Sequence, residues 1–199
     1  MLKTIITAAA MGVSLAAAGC ALGLGGGAPE TYDLSAPVAK RGPKTQTHIT
    51  VAQPDAIRPL DNDQILVRDA SGKLSYFPSS AWGDRLPRLV QTRLMQAMTD
   101  SGRFRAVGST RERTPADVTL AVELRSFNIQ MNGGRAEAVV DVVAKLLDER
   151  RDRVIATQQF SHTVAAGRDD AAAGVSALTE AFHRVSEEIV AWSANPRSA

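Results

Sequence analysis

The sequence predicts an α+β domain: one mostly antiparallel sheet with a long hairpin, and two helices packed on one face to give two layers. Three observations predict it. Several segments after residue 45 alternate apolar and polar residues, the period of a half-buried strand. The two longest alternating segments are separated by Asn132-Gly133-Gly134, and Asn-Gly suits the positive φ angles of a tight hairpin turn. Two segments instead carry apolar residues at helical spacing, so the order is strands, helix, strands, helix.

The elements follow in order. Residues 46–53 (QTHITVAQ) place Ile49 and Val51 on one face, His48 on the other, and end at Pro54. Residues 64–69 (QILVRD) and 74–77 (LSYF) flank the turn Ala70-Ser71-Gly72-Lys73 and read as a short hairpin. Ser79, Ser80 and Asp84 are candidate caps for the first helix, whose face is Leu86, Leu89, Val90, Leu94, Ala97 and Met98. Pro87 fits only a first turn, and Gly102 ends the helix. Phe104 to Val107 reads as a short strand. The terminal helix, 171–193, aligns Val175, Leu178, Phe182, Val185, Ile189 and Trp192 in one apolar stripe, with Glu180, Arg184, Glu187 and Glu188 opposite. Asp169-Asp170 precedes it as a capping and dipole signal.

The strand over residues 117–131 contains the one irregularity of phase. Val118, Leu120, Val122 and Leu124 share a face, but Phe127, Ile129 and Met131 fall on the opposite parity. A period of two cannot change parity unless the chain inserts a bulge or enters a second apolar environment. A bulge near Arg125-Ser126 turns the three residues back inward. Without one, Phe127, Ile129 and Met131 form an exposed apolar patch beside the tip at Asn132 and Gly133. That patch would meet a second copy of the chain or a partner protein. The return strand, 135–147, keeps one parity throughout with Ala138, Val140, Val142, Ala144 and Leu146, and a third strand, 153–164, follows a charged turn.

The first twenty residues read as an address rather than as fold. Lys3 and a short apolar run to Ala18 have the flanks and length of a secretory signal, too short to span a bilayer. Ala16-Ala17-Ala18-Gly19 leads into Cys20, the only cysteine of the chain, and resembles the lipobox of bacterial lipoproteins, in which the cysteine is acylated and cleavage falls before it. The resemblance implies a lipid anchor at Cys20, and Ala21 in place of an aspartate implies the outer membrane, facing the periplasm. The expected organisation is a signal peptide over 1–19, an acylated cysteine and glycine-rich tether over 20–30, and one periplasmic domain over 31–199.

Composition excludes several function classes. Hydrophobic residues at 44% and charged residues at 22% are ordinary for a globular fold. The net charge of +2 is interspersed, as in Asp148-Glu149-Arg150-Arg151-Asp152-Arg153, so no basic face for nucleic acid is expected. One cysteine excludes an internal disulfide and a cysteine-based metal cluster. His48, His162 and His183 have no metal-ligand spacing, and only His162 is expected to point inward. No nucleophile elbow, Ser-x-x-Lys pattern or phosphate loop occurs, so the expectation is no enzyme, no cofactor and no metal. Phe77 and Trp82 are expected to pack the first helix on the sheet.

From Thr31 to Trp192 the layout resembles the ABC-type transport auxiliary lipoproteins, the family of the paraquat-inducible lipoprotein. The residues that carry the resemblance are Tyr32-Asp33-Leu34 after the tether, Ile65-Leu66-Val67-Arg68, Leu74-Ser75-Tyr76-Phe77 and Trp82 ahead of Leu86-Pro87-Arg88-Leu89-Val90. Arg103-Phe104-Arg105-Ala106-Val107, a long hairpin and a terminal helix complete it. The resemblance implies a non-enzymatic auxiliary component of a lipid transport system, with ABC transporter subunits and an MCE-domain protein as partners and a homo-oligomer as a further possibility. It implies no catalytic residues. The alternative reading is an envelope hydrolase acting on lipid or peptidoglycan.

Overall fold

The structure is a computed structural model, and it describes residues 28–37, 40–112, 115–168 and 170–196. Its elements in chain order are β1 (Glu30–Tyr32), β2 (His48–Val51), β3 (Asp55–Ala56), β4 (Gln64–Asp69), β5 (Leu74–Trp82), α1 (Leu86–Ser101), β6 (Ala106–Ser109), a 3₁₀ turn (Thr110–Glu112), β7 (Val118–Asn132), β8 (Arg135–Asp148), β9 (Arg153–Ala166) and α2 (Ala171–Ala194). All nine strands form one sheet, with both helices against one face of it. The fold class read from the sequence is the fold class observed.

Strand β7 organises the sheet. One edge pairs antiparallel with β8 along its whole length, and β8 pairs antiparallel with β9. The other edge of β7 is shared end to end by β2, β3 and β4, all parallel to it. Strand β6 extends β2, while β5 and then β1 extend β4. The sheet is therefore antiparallel through its long strands and parallel where short strands line β7. Alternation specifies which face a residue takes, not the direction of its neighbour, and so the parallel pairings are not legible in it.

A bulge at Arg125 resolves the phase irregularity. Leu124 lies opposite Val142 and Ser126 opposite Asp141, so Arg125 is the extra residue. Beyond it, Phe127 faces Val140 and Ile129 faces Ala138, both inward-pointing residues of β8. Phe127 is 1% exposed and Ile129 0%. The exposed patch expected from the parity change is thus not formed: Phe127 and Ile129 are core, and Met131 is half-buried against that core. A matching irregularity at the start of β9, where Val154 pairs with Leu147 and Ala156 with Leu146, leaves Val154 and Ile155 exposed.

Aromatic side chains connect the layers. The Phe127 ring meets Trp82 from β5 edge-on at 6.0 Å and Phe182 from α2 at 6.0 Å in a tilted contact. Phe160 of β9 meets Trp192 near the end of α2 at 5.6 Å. The stripe of α2 is core as expected, with Leu178, Phe182, Val185 and Ile189 at most 2% exposed. Near its start, Gly174 leaves room for Ile129: a Cβ there would stand 3.1 Å from Ile129 Cγ1. Asp170 caps α2, its carboxylate accepting from Ala173 N at 2.7 Å. Helix α1 is tied to the sheet by Gln91, whose buried amide donates to Val51 O at 2.9 Å.

Three local expectations differ from the structure. His48 is buried, because β2 lies between β6 and β7 and is covered on both faces. Ser79 and Ser80 belong to β5, where Ser79 takes a positive φ of 52° at a register shift, and neither caps α1. The α1 N-terminus has no side-chain cap; instead Leu86 N donates to Asn62 O at 2.9 Å.

Asp117 stitches three strand ends together. Its carboxylate accepts from His48 N at 2.9 Å and from Arg150 Nη2 at 2.6 Å, while its own N–H donates to His48 O at 2.9 Å. The His48 amide, followed by the nearby Arg150 and Arg105 charges, holds the Asp117 carboxyl below the usual carboxylate range.

These contacts generate two expectations. Phe127→Ala lowers stability by about 3–5 kcal/mol in urea denaturation, because it empties the centre of the aromatic cluster. Arg125→Ala stays within about 0.5 kcal/mol because its side chain is half-exposed. Deleting Arg125 removes the bulge but leaves Leu124, Phe127 and Ile129 on one face, so cooperative unfolding is retained. The second expectation concerns pH. A carboxyl whose folded value lies below its unfolded value of about 3.9 stabilises the fold above that value. That stabilisation is lost as pH falls through the folded value. Between about pH 5 and about pH 2, wild type therefore loses more stability than Asp117→Asn, measured by the urea midpoint.

Candidate functional site

Cys20, the expected site of acylation, lies outside the described residues. The residues expected to bind a partner divide at Met131. Phe127 and Ile129 are buried in the core and unavailable as a surface, whereas Asn132 and Gly133 are exposed at the end of the long hairpin. The turn itself is Gly133-Gly134, with φ of 56° and 83°, and Asn132 pairs with Arg135 across it. Two consecutive positive φ angles define the I′ turn that matches the strand twist, and glycine takes them at no steric cost.

Two further turns share this end of the domain. The β4–β5 turn lies beside it, since Asp69 is in register with Met131. Asp69 closes that turn by accepting from Ser71 N at 2.8 Å, Lys73 N at 2.9 Å and Ser71 Oγ at 2.6 Å. The Ser71 hydroxyl, then the Lys73 amide, hold its carboxyl below the usual range. The β9–α2 turn is the third, as Ala166 pairs with Ala136. Between β8 and β9, the β7–β8 and β9–α2 turns frame an open depression of about 560 Å³ lined by Arg135, Glu137, Gly167, Arg168 and Asp170. Arg168 Nε lies 3.0 Å from Asp170 Oδ2, and Arg135 has no carboxylate partner among the described residues. The sequence analysis isolated the Asn-Gly-Gly turn but not this depression, which needs the register of β8 on β9 to assemble.

The opposite end is organised by Asp117 and Asp148. The Asp148 carboxylate accepts from Arg150 N at 3.0 Å, Arg151 N at 3.1 Å and Arg151 Nη1 at 2.8 Å. The Arg151 guanidinium leads the causes that lower its pKa. A second open depression of about 440 Å³ there is lined by Thr50, Thr119, Glu149 and Arg150, and the two threonine hydroxyls bond each other at 2.7 Å. A smaller cavity of about 140 Å³ lies between the helices and the segment around Pro37, with the Lys40–Glu187 ion pair at its rim.

The histidines serve these contacts. His162 Nε2 lies 2.8 Å from Glu188 Oε1, joining β9 to α2, and His183 Nε2 lies 3.1 Å from Ser35 O. Among the described residues no group of three or more histidine, cysteine, aspartate or glutamate side chains is placed to hold a metal ion. No helix among them is long and apolar enough to cross a membrane. The chemistry of the arrangement is that of surfaces and turns: ion pairs, capped loops and open depressions.

Comparison with known proteins gives the family of the chain. The chain is 28% identical over 175 residues to the uncharacterized protein bll6063 of Bradyrhizobium diazoefficiens, a match covering 85% of this chain and 47% of that protein. The chain thus spans about half the length of that relative. The crystal structure of protein XCC0632 from Xanthomonas campestris superposes with a TM-score of 0.76 at 27% identity, covering 82% of this chain and 94% of the other. The hypothetical protein CT253 from Chlamydia trachomatis shares the fold at 10% identity, with a TM-score of 0.52 over 75% of this chain and 96% of its own. Residues 32–190 match the family model of the ABC-type transport auxiliary lipoprotein component, almost the whole of the described domain. The chain therefore belongs to the family of ABC-type transport auxiliary lipoprotein components.

Proposed function

We propose that this chain is a non-catalytic, lipid-anchored docking component of an ABC-type lipid transport system, held at the outer membrane with its domain in the periplasm. The family match over residues 32–190 is the observation that carries the auxiliary role. Cys20 is the acylated residue in this reading: it is the chain's single cysteine, it follows a short apolar leader, and Ala21 follows it. Two or more acyl chains anchor a protein stably, where one binds marginally.

The partners are ABC transporter subunits and an MCE-domain protein, and the domain docks their assembly at the membrane that holds Cys20. The polar groups support an adaptor rather than a catalyst. Asp69 and Asp148 each close a turn, Asp117 joins strand ends, and His162 and His183 join packed elements. Acid–base catalysis needs groups free to exchange protons with a substrate, and these are occupied with backbone or with one another.

Cys20→Ser tests the anchor. The variant is expected in the soluble periplasmic fraction, while wild type is retained in the outer membrane and takes up acyl-chain label. Affinity purification of the wild type from membranes is expected to co-isolate ABC transporter and MCE-domain subunits. Retention of Cys20→Ser in the outer membrane as well as wild type, or a wild type purified without either class of subunit, contradicts the reading.

A further inference from the structure

We propose that the end of the domain formed by the β4–β5, β7–β8 and β9–α2 turns lies against the phospholipid headgroups of the anchoring membrane, an orientation that rests on the acylation of Cys20 in the reading above. The direction of β1 sets it. Strand β7 runs toward the hairpin tip, β4 is parallel to β7, β5 is antiparallel to β4, and β1 is parallel to β5. Strand β1 therefore runs away from the tip, and the chain enters it from the tip side at Glu30.

Distances along the sheet agree. Thr31 is in register with Ala81, and Ala81 with Gln64. From Gln64 to Asp69 at the tip is five residues, about 17 Å at about 3.3 Å each. From Thr31 back to Cys20 is eleven residues, a reach of at most about 40 Å. That reach exceeds the distance to the tip, so the tether is long enough to place Cys20 beyond it.

The surface at that end suits headgroups. Its turns are small and polar, Ala70-Ser71-Gly72-Lys73 and Asn132-Gly133-Gly134, so they approach a flat layer closely. Each of the three turns has one cation in it or beside it, Lys73, Arg135 and Arg168. The depression between the β7–β8 and β9–α2 turns sets Arg135 and Arg168 beside Glu137 and Asp170. That mixture is complementary to a zwitterionic headgroup: guanidinium toward the phosphodiester, carboxylate toward the ammonium. Leu74, 37% exposed beside the same turn, adds an apolar contact at the interface. The far end, with Arg150 and the depression by Thr50 and Thr119, is then directed away from the membrane.

The test uses the acylated full chain. Its one cysteine is occupied by the anchor, so a second cysteine is the only free thiol. Ala70→Cys and Asn132→Cys report the tip end, and Glu149→Cys reports the far end; all three positions are exposed. Each is labelled with a fluorophore and reconstituted in phosphatidylethanolamine–phosphatidylglycerol vesicles that carry a headgroup nitroxide. Quenching several-fold stronger at residues 70 and 132 than at 149 is expected. Vesicles that float with the protein but quench residue 149 as strongly as the tip, or leave the tip unquenched, overturn the orientation and leave the anchor standing. Protein that does not float with the vesicles overturns the anchor and the orientation together.

Discussion

One inserted residue governs the fold. Strand β8 keeps a single parity from Ala138 to Leu146, and every inward residue on it needs an inward neighbour on β7. The β7 sequence supplies them on two parities, and only the bulge at Arg125 brings Leu124 and Phe127 to the same face. The consequence reaches well beyond one strand. Phe127 becomes the ring that Trp82 and Phe182 both contact, so β5, β7 and α2 meet at one point. Ile129 becomes the residue against which Gly174 fits, which sets how closely α2 approaches the sheet. The extra residue itself projects outward, where a guanidinium beside Glu123 is harmless.

Polar chemistry is concentrated at the two ends of the sheet and is directed inward to the chain. Asp69 at one end and Asp117 and Asp148 at the other are held ionised by backbone amides, hydroxyls and guanidinium groups. A carboxylate that accepts several hydrogen bonds fixes loop geometry and is a poor proton shuttle at neutral pH. The result is a stiff plate with well-defined turns at both ends and depressions open to solvent.

Much of this was legible in the sequence, and the parts that were not share a cause. The α2 stripe, the hairpin at Gly133-Gly134 and the Gly102 stop could be read because each depends on residues near one another in the chain. The fate of Phe127 and Ile129 could not, since the parity change allowed both a bulge and an exposed patch, and only the partner strand decides between them. The burial of His48 was missed because alternation assumes one wet face, while β2 is a central strand covered on both. The parallel pairing of β2, β3 and β4 on β7, and the depression beside Arg135, depend on contacts between distant segments that no local pattern encodes. Cys20 is marked by the sequence alone and lies outside the described residues.

In the proposed account, a lipid on Cys20 turns the folded domain of this family member into a membrane-fixed dock. The covalent state of Cys20 is its most direct measure. Intact-mass and fragment-ion mass spectrometry of the N-terminal peptide, purified from the membranes of cells expressing the full chain, reads it. The account predicts a peptide that begins at Cys20 and carries a diacylglyceryl thioether with an acylated α-amine. An N-terminal peptide with an unmodified Cys20, or one that begins at a residue after it, would contradict the account.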